Sequence, residues 1–380
     1  MINLREFKTV AQRREALEKN LGISLKNIGN YSLNEGFASS RNCENMIGAA
    51  QIPLGVAGPL KIKNKNYFLP LATTEGALVA SVNRGCRAVS LSGGVRVLVE
   101  NIGITRGPVF KTNSLLASAE LKNWLEEHFA DLNNLAKETS GHLELKKLET
   151  QILGRSVFIR FYFDSQEAMG MNMATIAVDK FASFIEKQTG NHCLALSGNF
   201  CVDKKASWFN FVLGRGKRVW AEAQISEKIV EEVLKTTPEK ISQVWLNKCL
   251  LGSALSGSIG FNAHFGNIVA AIFAACGQDL GHITEGSLGI TTTELVGKDL
   301  QISIYLPDLP IGTIGGGTTL ETQKEALNLM GIKNGKKGSS LQLAGIIGGA
   351  VLAGELSLLA SLAEGSLALA HQKLTRGKNA

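Results

Sequence analysis

Residues Leu255 to Cys276 combine Gly, Ala and Ser with apolar side chains all round, and no other stretch constrains the fold as tightly. A helix without a polar face is usually buried in the middle of a large domain. The expectation is a large domain built around it. The material is there: 380 residues, 44 % hydrophobic and 19 % charged, suffice for two or three domains and a sizeable core. The 41 glycines against 7 prolines point to tight turns and close backbone approaches rather than disorder.

The net charge of +7 is spread along the chain, and Lys146-Lys147 and Lys336-Lys337 are only pairs. Nucleic-acid binding calls for a dense basic run with interleaved aromatics, so a small polyphosphate-bearing ligand is the better expectation. The six cysteines (43, 86, 193, 201, 249 and 276) form no C-x-x-C pair, which argues against a zinc ribbon or a disulfide scaffold and for thiols in a reducing cytoplasm. No metal site is expected. Met1 to Asn20 is rich in Arg, Glu and Lys and is no signal peptide. The apolar runs Ile268–Cys276 and Leu343–Gly354 fall short of the roughly 20 residues that cross a bilayer, so no membrane span is expected.

Residues 4–20 read as an exposed amphipathic helix closed by Gly22, and residues 45–60 as strands and turns. Thr73-Thr74-Glu75-Gly76 leads into a helix over 77–89, which puts Glu75 near a helix N-terminus where the dipole favours a carboxylate. Gly107-Pro108 marks a boundary. After it, a strand at 109–111, a helix at 115–132, a strand at 156–163 and a helix at 173–189 make an α+β unit of ferredoxin-like size. Residues 195–200 read as a strand and 217–279 as mostly helical. Ile311–Thr319 is a loop suited to close backbone approach. Leu352, Leu356, Leu359 and Ala363 mark a last helix.

Two polar runs carry the chemistry: Glu75 in its Thr-Thr-Glu-Gly setting, and Asp203-Lys204-Lys205. Ionisable groups in apolar surroundings cost free energy unless they are paired or used. If Glu75 and Lys204 meet, they form an acid beside a cation, as carbonyl reduction requires. Asp279 follows the apolar helix, where the dipole disfavours it, so it needs a cationic partner, and a lysine is the natural one. His264 and Asn267 lie three residues apart, and a satisfied core histidine is the plainer reading of the first. Asn83, Arg84 and Arg87 form a basic cluster that suits an external phosphate. No G-x-G-x-x-G or Walker A sequence is present, so a dinucleotide would bind in a non-Rossmann manner. The candidate loop is Glu167–Met173, although three alternating methionines more often fill core gaps.

Taken together, Glu44–Gly48, Pro53–Leu60, Thr73–Gly76, Asn83–Arg87, Thr105–Pro108, Ala168–Met173, Asp203–Lys205, Gly257–His264, Gly277–Asp279 and Gly354–Ser357 stand in one order at one spacing. From residue 30 to 371 the chain resembles the 3-hydroxy-3-methylglutaryl-coenzyme A (HMG-CoA) reductases, most of all their class I branch in a soluble form without a membrane anchor. The resemblance implies an α+β fold. Its large domain surrounds a long buried central helix, here near 255–276, and carries an inserted ferredoxin-like NADP(H)-binding domain. The expected divisions are a helical segment 1–30, large-domain parts 31–107 and 196–380, and the small domain 108–195. Homodimers or homotetramers with shared active sites are implied.

The implied reaction is reduction of (S)-HMG-CoA to mevalonate and CoA by two hydride transfers from NADPH. Lys204 would stabilise the oxyanion and Asp279 would hold and tune Lys204. Glu75 would supply a proton, with its pKa raised by burial beside a carboxylate such as Asp279. His371, on a C-terminal flap, would protonate the leaving thiolate. Arg106, Ser197, Asp203, Lys205, Lys248, His264 and Asn267 match substrate positions, and Ser81, Asn83, Arg84 and Arg87 match CoA positions. Ser140, Glu167, Ala168, Met169, Gly170, Met171, Asn172, Met173, Gly315, Gly316 and Gly317 match the dinucleotide side. Gly141 replaces an Arg that faces the NADPH 2′-phosphate in relatives, which leaves NADH possible, with Lys146 or Lys147 as substitutes. Gly377 replaces the regulatory serine of animal enzymes, so phosphorylation control is not expected. The same motifs would also fit a degradative enzyme oxidising mevalonate with NAD, or an inactive CoA-binding relative.

Overall fold

The computed structural model describes residues 3–365, so His371 and Gly377 lie outside the described residues. The fold is α+β. Its main sheet runs in the order His192–Ala195, Val109–Lys111, Ser156–Asp164, Arg96–Arg106, Arg215–Ile225, Asp299–Leu309, Ile290–Val296, and Glu144–Leu153 pairs with Ser156–Asp164. Every pairing is antiparallel. Within it, the strands at 109, 144, 156 and 192 have the β-α-β-β-α-β connectivity of a ferredoxin-like unit. Ser156–Asp164 changes partner midway. Residues 156–158 pair with 109–111 and residues 161–163 with 104–106, so the sheet continues into the rest of the molecule. Two cores flank this crossing: one is built on Phe110, Phe161, Phe163 and Phe181, and the other on the apolar helices and the hairpin Leu54–Ile62/Lys65–Ala72.

The apolar 255–276 stretch is not one helix. Helix Ser253–Ser256 ends at left-handed Gly257, and a new helix, Phe265–Cys276, starts after an irregular segment. Asn262 Oδ1 accepts from Phe265 N at 3.1 Å, and the buried Glu355 carboxylate accepts from Ala263 N and His264 N at 2.8 and 2.7 Å. These acceptors set the new helix start.

The longest buried helix is instead Ser339–Glu364, with 26 residues, all of them buried from 343 to 357. It packs against helices Leu78–Leu91 and Phe265–Cys276 and against strands 96–106, 215–225 and 299–309. Its apolar run looks short in sequence because Glu355 interrupts it, yet Glu355 is fully buried and paired. Among the described residues, this is the one helix long and apolar enough to cross a membrane, and 94 % of its most apolar stretch is buried inside the protein.

Other differences are local. Residues 217–225 are strand, with the alternating burial of a sheet that lays one face on the core, and helical structure begins only after Ser226. The strand at 192 stops at Ala195, leaving 196–200 as loop, and the 115–132 segment is two helices, Leu115–Glu127 and Phe129–Thr139. Val10–Leu21 is helical, with a Thr9/Gln12 capping box and left-handed Gly22 at its end.

Helices Leu78–Leu91 and Ser339–Glu364 cross at Gly85, where a Cβ would overlap the carbonyl of Ala353. Gly85→Ala should therefore cost about 1–3 kcal/mol through overpacking, read as a lower urea midpoint at unchanged m. An unaltered midpoint would mean that the crossing yields freely.

Candidate active site

The loop 196–207 carries three non-glycine residues in the left-handed region, Asn199 (φ 62°), Val202 (φ 48°) and Lys204 (φ 60°). Such conformations cost about 1–3 kcal/mol each and persist only where surroundings impose them. Here they do. Gly198 N donates to Gly107 O at 2.6 Å, Thr105 Oγ1 to Cys201 O at 3.1 Å, and Asn210 Nδ2 to Val202 O at 3.1 Å. Arg160 donates to Phe200 O at 3.4 Å, and Arg215 to Asp203 Oδ1 at 2.8 Å.

The loop presents Lys204 to Asp279, with Nζ 3.1 Å from Oδ2. Asp279 caps the turn that follows Gly277, and its Oδ1 accepts from Gly281 N at 2.9 Å. Burial raises the pKa of Asp279, but the Gly281 amide, the Lys204 ammonium and His282 outweigh it and hold the carboxyl below its ordinary value. Gly281 leaves room for the lysine: a Cβ there would stand 3.0 Å from the Lys204 stem.

Other positions are divided. Glu75 lies three residues before helix Leu78–Leu91 and is exposed. Among the described residues only its amide is engaged, donating to Thr73 Oγ1 at 3.0 Å, and its carboxylate meets neither Lys204 nor Asp279. The expected burial of Glu75 beside Asp279 does not occur within one chain. Lys205 reaches Asn199 Oδ1 at 3.2 Å, and Ser197 is exposed. Arg106 ends its strand with a buried Nε that has no partner among the described residues. Lys248 lines a cavity of about 470 Å³ with Ser256, Asn262 and Thr284. His264 is held: Nε2 donates to Gly354 O at 2.9 Å, leaving Nδ1 to accept from Asn267 Nδ2 at 3.5 Å.

The basic cluster expected at 83–87 splits. Arg84 turns inward to Ser357 O at 2.6 Å, and Ser81 Oγ donates to Ser357 Oγ at 3.0 Å. Asn83 Oδ1 accepts from Gly58 N at 3.0 Å, and Arg87 alone of the two arginines is exposed.

A family profile described as hydroxymethylglutaryl-coenzyme A reductase matches residues 9–376. The chain belongs to the HMG-CoA reductase family. It is 48 % identical over 370 residues to the 3-hydroxy-3-methylglutaryl-coenzyme A reductase of Methanothermobacter thermautotrophicus, covering 96 % of this chain and 93 % of that one. It is 50 % identical over 374 residues to the enzyme of the same name from Methanocaldococcus jannaschii, covering 96 % and 92 %. Its fold is similar to that of the class II HMG-CoA reductase from Streptococcus pneumoniae, a structure bound to NADPH. The TM-score is 0.70 at 18 % identity, over 94 % of this chain and 98 % of that one.

On the side that the HMG-CoA reductase resemblance gives to the dinucleotide, Glu167 is engaged within the chain. Its carboxylate accepts from Gly338 N at 2.6 Å, Ser340 N at 2.7 Å and Ser339 Oγ at 3.1 Å, closing the N-terminus of the long helix. Burial raises its pKa, but these donors outweigh it and lower the value. Ala168 bridges to Ile314, and Met169, Met171 and Met173 pack against the smaller core. Left-handed Gly170 (φ 94°) precedes helix Met171–Thr189, which has no side-chain cap, and Asn172 is exposed. Gly317 abuts the backbone of Gly277, whereas Gly315 and Gly316 are exposed. Ser140 Oγ accepts from His142 N at 3.2 Å, and a side chain at Gly141 would enter open space. Lys146 and Lys147 pair with Glu144 and Glu149 at 3.5 and 3.0 Å.

Sequence reasoning missed Arg215, His282, Glu285 and Asp308, all fully buried around Asp203 and Asp279. One signal was available: Asp279, His282 and Glu285 recur every three residues on one turn-helix face. Asp203, His282 and Glu285 converge as metal ligands would, but the Arg215 guanidinium already bonds two of them, at 2.8 and 2.7 Å.

The Glu167 clasp gives a stability prediction. Because its pKa is lowered on folding, its contribution is present above the ordinary carboxylate range and is lost as pH falls through the folded value. Glu167→Gln should destabilise the protein by about 1 kcal/mol at neutral pH. The gap between variant and parent should shrink in acid, as followed by urea denaturation. A pH-independent gap would contradict a charge effect.

Proposed function

We propose that this chain reduces (S)-HMG-CoA to mevalonate and CoA in two hydride transfers, with NADPH as the donor. The observation that carries the reading is the Lys204–Asp279 pair on its pinned, left-handed loop, in a chain of this family. A fixed cation beside a reacting carbonyl stabilises the oxyanion that develops in each reduction. Asp279, itself held charged, keeps Lys204 in place. Arg106, whose Nε has no partner among the described residues, and Lys205 supply further cations near the loop for the substrate carboxylate. Lys248, Ser197, His264 and Asn267 complete the substrate side, and Asn83 and Arg87 the outward CoA side. His371 would protonate the CoA thiolate, since imidazolium has the pKa for it.

The nicotinamide dinucleotide supplies the hydride when bound. The residues fit it: the uncapped start of helix Met171–Thr189 behind Gly170, together with exposed Gly315 and Gly316, offers backbone N–H groups to a diphosphate. The cytoplasm is the proposed location, in keeping with six unpaired cysteines.

Glu75 is exposed and has no side-chain partner among the described residues, so we assign it to the Lys204 site of a second copy. Ile52, Leu54, Val56 and Phe68, on or next to the hairpin Leu54–Ile62/Lys65–Ala72 that leads to Glu75, are exposed and suit burial in such a contact.

Lys204→Ala should lower kcat at least about 100-fold with both HMG-CoA and free mevaldehyde. His371→Gln should slow only the thioester step, and equal damage to both substrates would refute its role. Assays with both cofactors in both directions test the donor: equal kcat/KM with NADH, or oxidation of mevalonate only, would overturn NADPH-dependent reduction. Mixing inactive Glu75→Ala and Lys204→Ala proteins after subunit exchange should restore activity. Continued inactivity of demonstrated mixed oligomers would sink the shared site.

A further inference from the structure

Behind Lys204 and Asp279 lies a closed circuit of charged and polar groups that the reductase reading leaves without a role. Asp279 Oδ2 stands 3.1 Å from Lys204 Nζ and 3.3 Å from His282 Nε2. The other ring nitrogen of His282, Nδ1, contacts Glu285 Oε1. That oxygen accepts from Arg215 at 2.7 Å, and a second nitrogen of the same guanidinium donates to Asp203 Oδ1 at 2.8 Å. Asp203 is joined to Lys204 by a peptide bond, so the circuit returns to its start. His282, Glu285 and Arg215 have no exposed surface.

We propose that Arg215, Glu285 and His282 are positioning residues that fix both halves of the catalytic pair, the lysine through Asp203 and the aspartate through His282. This deepens the reductase reading and rests on it. The pair cannot hold itself: the Lys204 and Asp279 side chains are 47 % and 38 % exposed, and ion pairs so open to water fix their partners weakly. Its backing is of a different kind. Buried ionic groups are no more stabilising than apolar packing of the same volume, so a fully buried set argues for a geometric task.

Arg215 is also restrained from outside the circuit. Arg215 Nε donates to Thr105 Oγ1 at 2.9 Å. Asp308 faces Arg215 and accepts from Asn210 Nδ2 at 2.6 Å, and the same amide group donates to Val202 O in the catalytic loop. The groups that face Asp279 are Lys204 from that loop and His282 and the Gly281 amide from its own turn. Among the described residues, those that face His282 are Asp279, Glu285 and Asp203.

The test uses His282→Leu, which removes both ring contacts, and His282→Gln, whose amide N–H restores a polar group facing Asp279, although His282 Nε2 itself approaches Asp279 as a charge contact without an aligned hydrogen bond. In folded His282→Leu protein, kcat should fall about 100-fold, as small misplacements of reacting groups do, with KM for HMG-CoA little changed. The Asp279 carboxyl, followed by carbon NMR of aspartate-labelled protein without ligand, should titrate at higher pH than in the parent, because a group favouring its charge is gone. The acid limb of the kcat profile should move with it, and His282→Gln should recover part of kcat. Parent-like kcat and titration in the leucine variant would refute the proposal, as would lost activity with an unmoved titration and no recovery in the glutamine variant. If the leucine variant does not fold, His282→Asn, whose shorter uncharged side chain also removes the group favouring the Asp279 charge, gives the same titration reading. A parent protein that lacks reductase activity while the titration shifts as expected would overturn the reductase reading and leave the circuit standing.

Discussion

One guanidinium organises the centre of this molecule. Arg215 has no exposed surface, and burial works against its charge, but Glu285, Asp308 and Asp203 outweigh that penalty and favour the charged form. Removing any one of them would leave a buried ion partly unpaired, the costly case for interior charge. Arg215 sits on a strand continuous with the main sheet, Glu285 follows the turn that holds Asp279, and Asp203 leads directly into Lys204. Three separate parts of the chain are thus brought to one point by an electrostatic need that apolar packing could not specify. The strained backbone at Asn199, Val202 and Lys204 is tolerable because this point and the hydrogen bonds around it leave the loop no other course.

The long helix is the second organiser, and it too is fixed by buried polar groups. Glu167 closes its N-terminus, Ser357 receives Arg84 and Ser81, and Glu355 in its middle serves the Ala263 and His264 amides and accepts from Thr291 Oγ1 at 2.6 Å. Apolar contact alone would let such a helix slide or rotate. A carboxylate that must meet two particular amides and a hydroxyl sets its register.

What the sequence revealed follows from how local each signal is. Asp279 at the end of an apolar helix demands a cation within reach, and that demand is visible in a short run of residues. The ferredoxin-like alternation after Pro108 is likewise local. The partner of Glu75 was not legible, because no spacing says whether two distant runs meet in one chain. Arg215, His282 and Glu285 escaped notice because their meaning lies in contacts between a strand, a loop and a turn. The strand at 215–225 was hidden by the helical segments after it. The long helix was undervalued because a charge in an apolar run reads as an interruption until its partners are known. Arg84 and Glu167 looked like ligand contacts, yet both are satisfied inside the chain, where charge is needed as much for architecture as for chemistry.

The placement of the long helix has a consequence for how the protein is made. Residues 339–364 resemble a bilayer-spanning segment in length and apolarity, and a nascent chain displaying such a segment invites capture or aggregation. Among the described residues, every element that packs against it, from the hairpin at 54–72 to the strand at 299–309, precedes it in the sequence, as do the amides and hydroxyl that meet Glu355. Synthesis runs from the N-terminus, so the segments that form its groove have already been made when the helix leaves the ribosome. The order of the sequence thus limits the time for which the most aggregation-prone part of the protein stands uncovered.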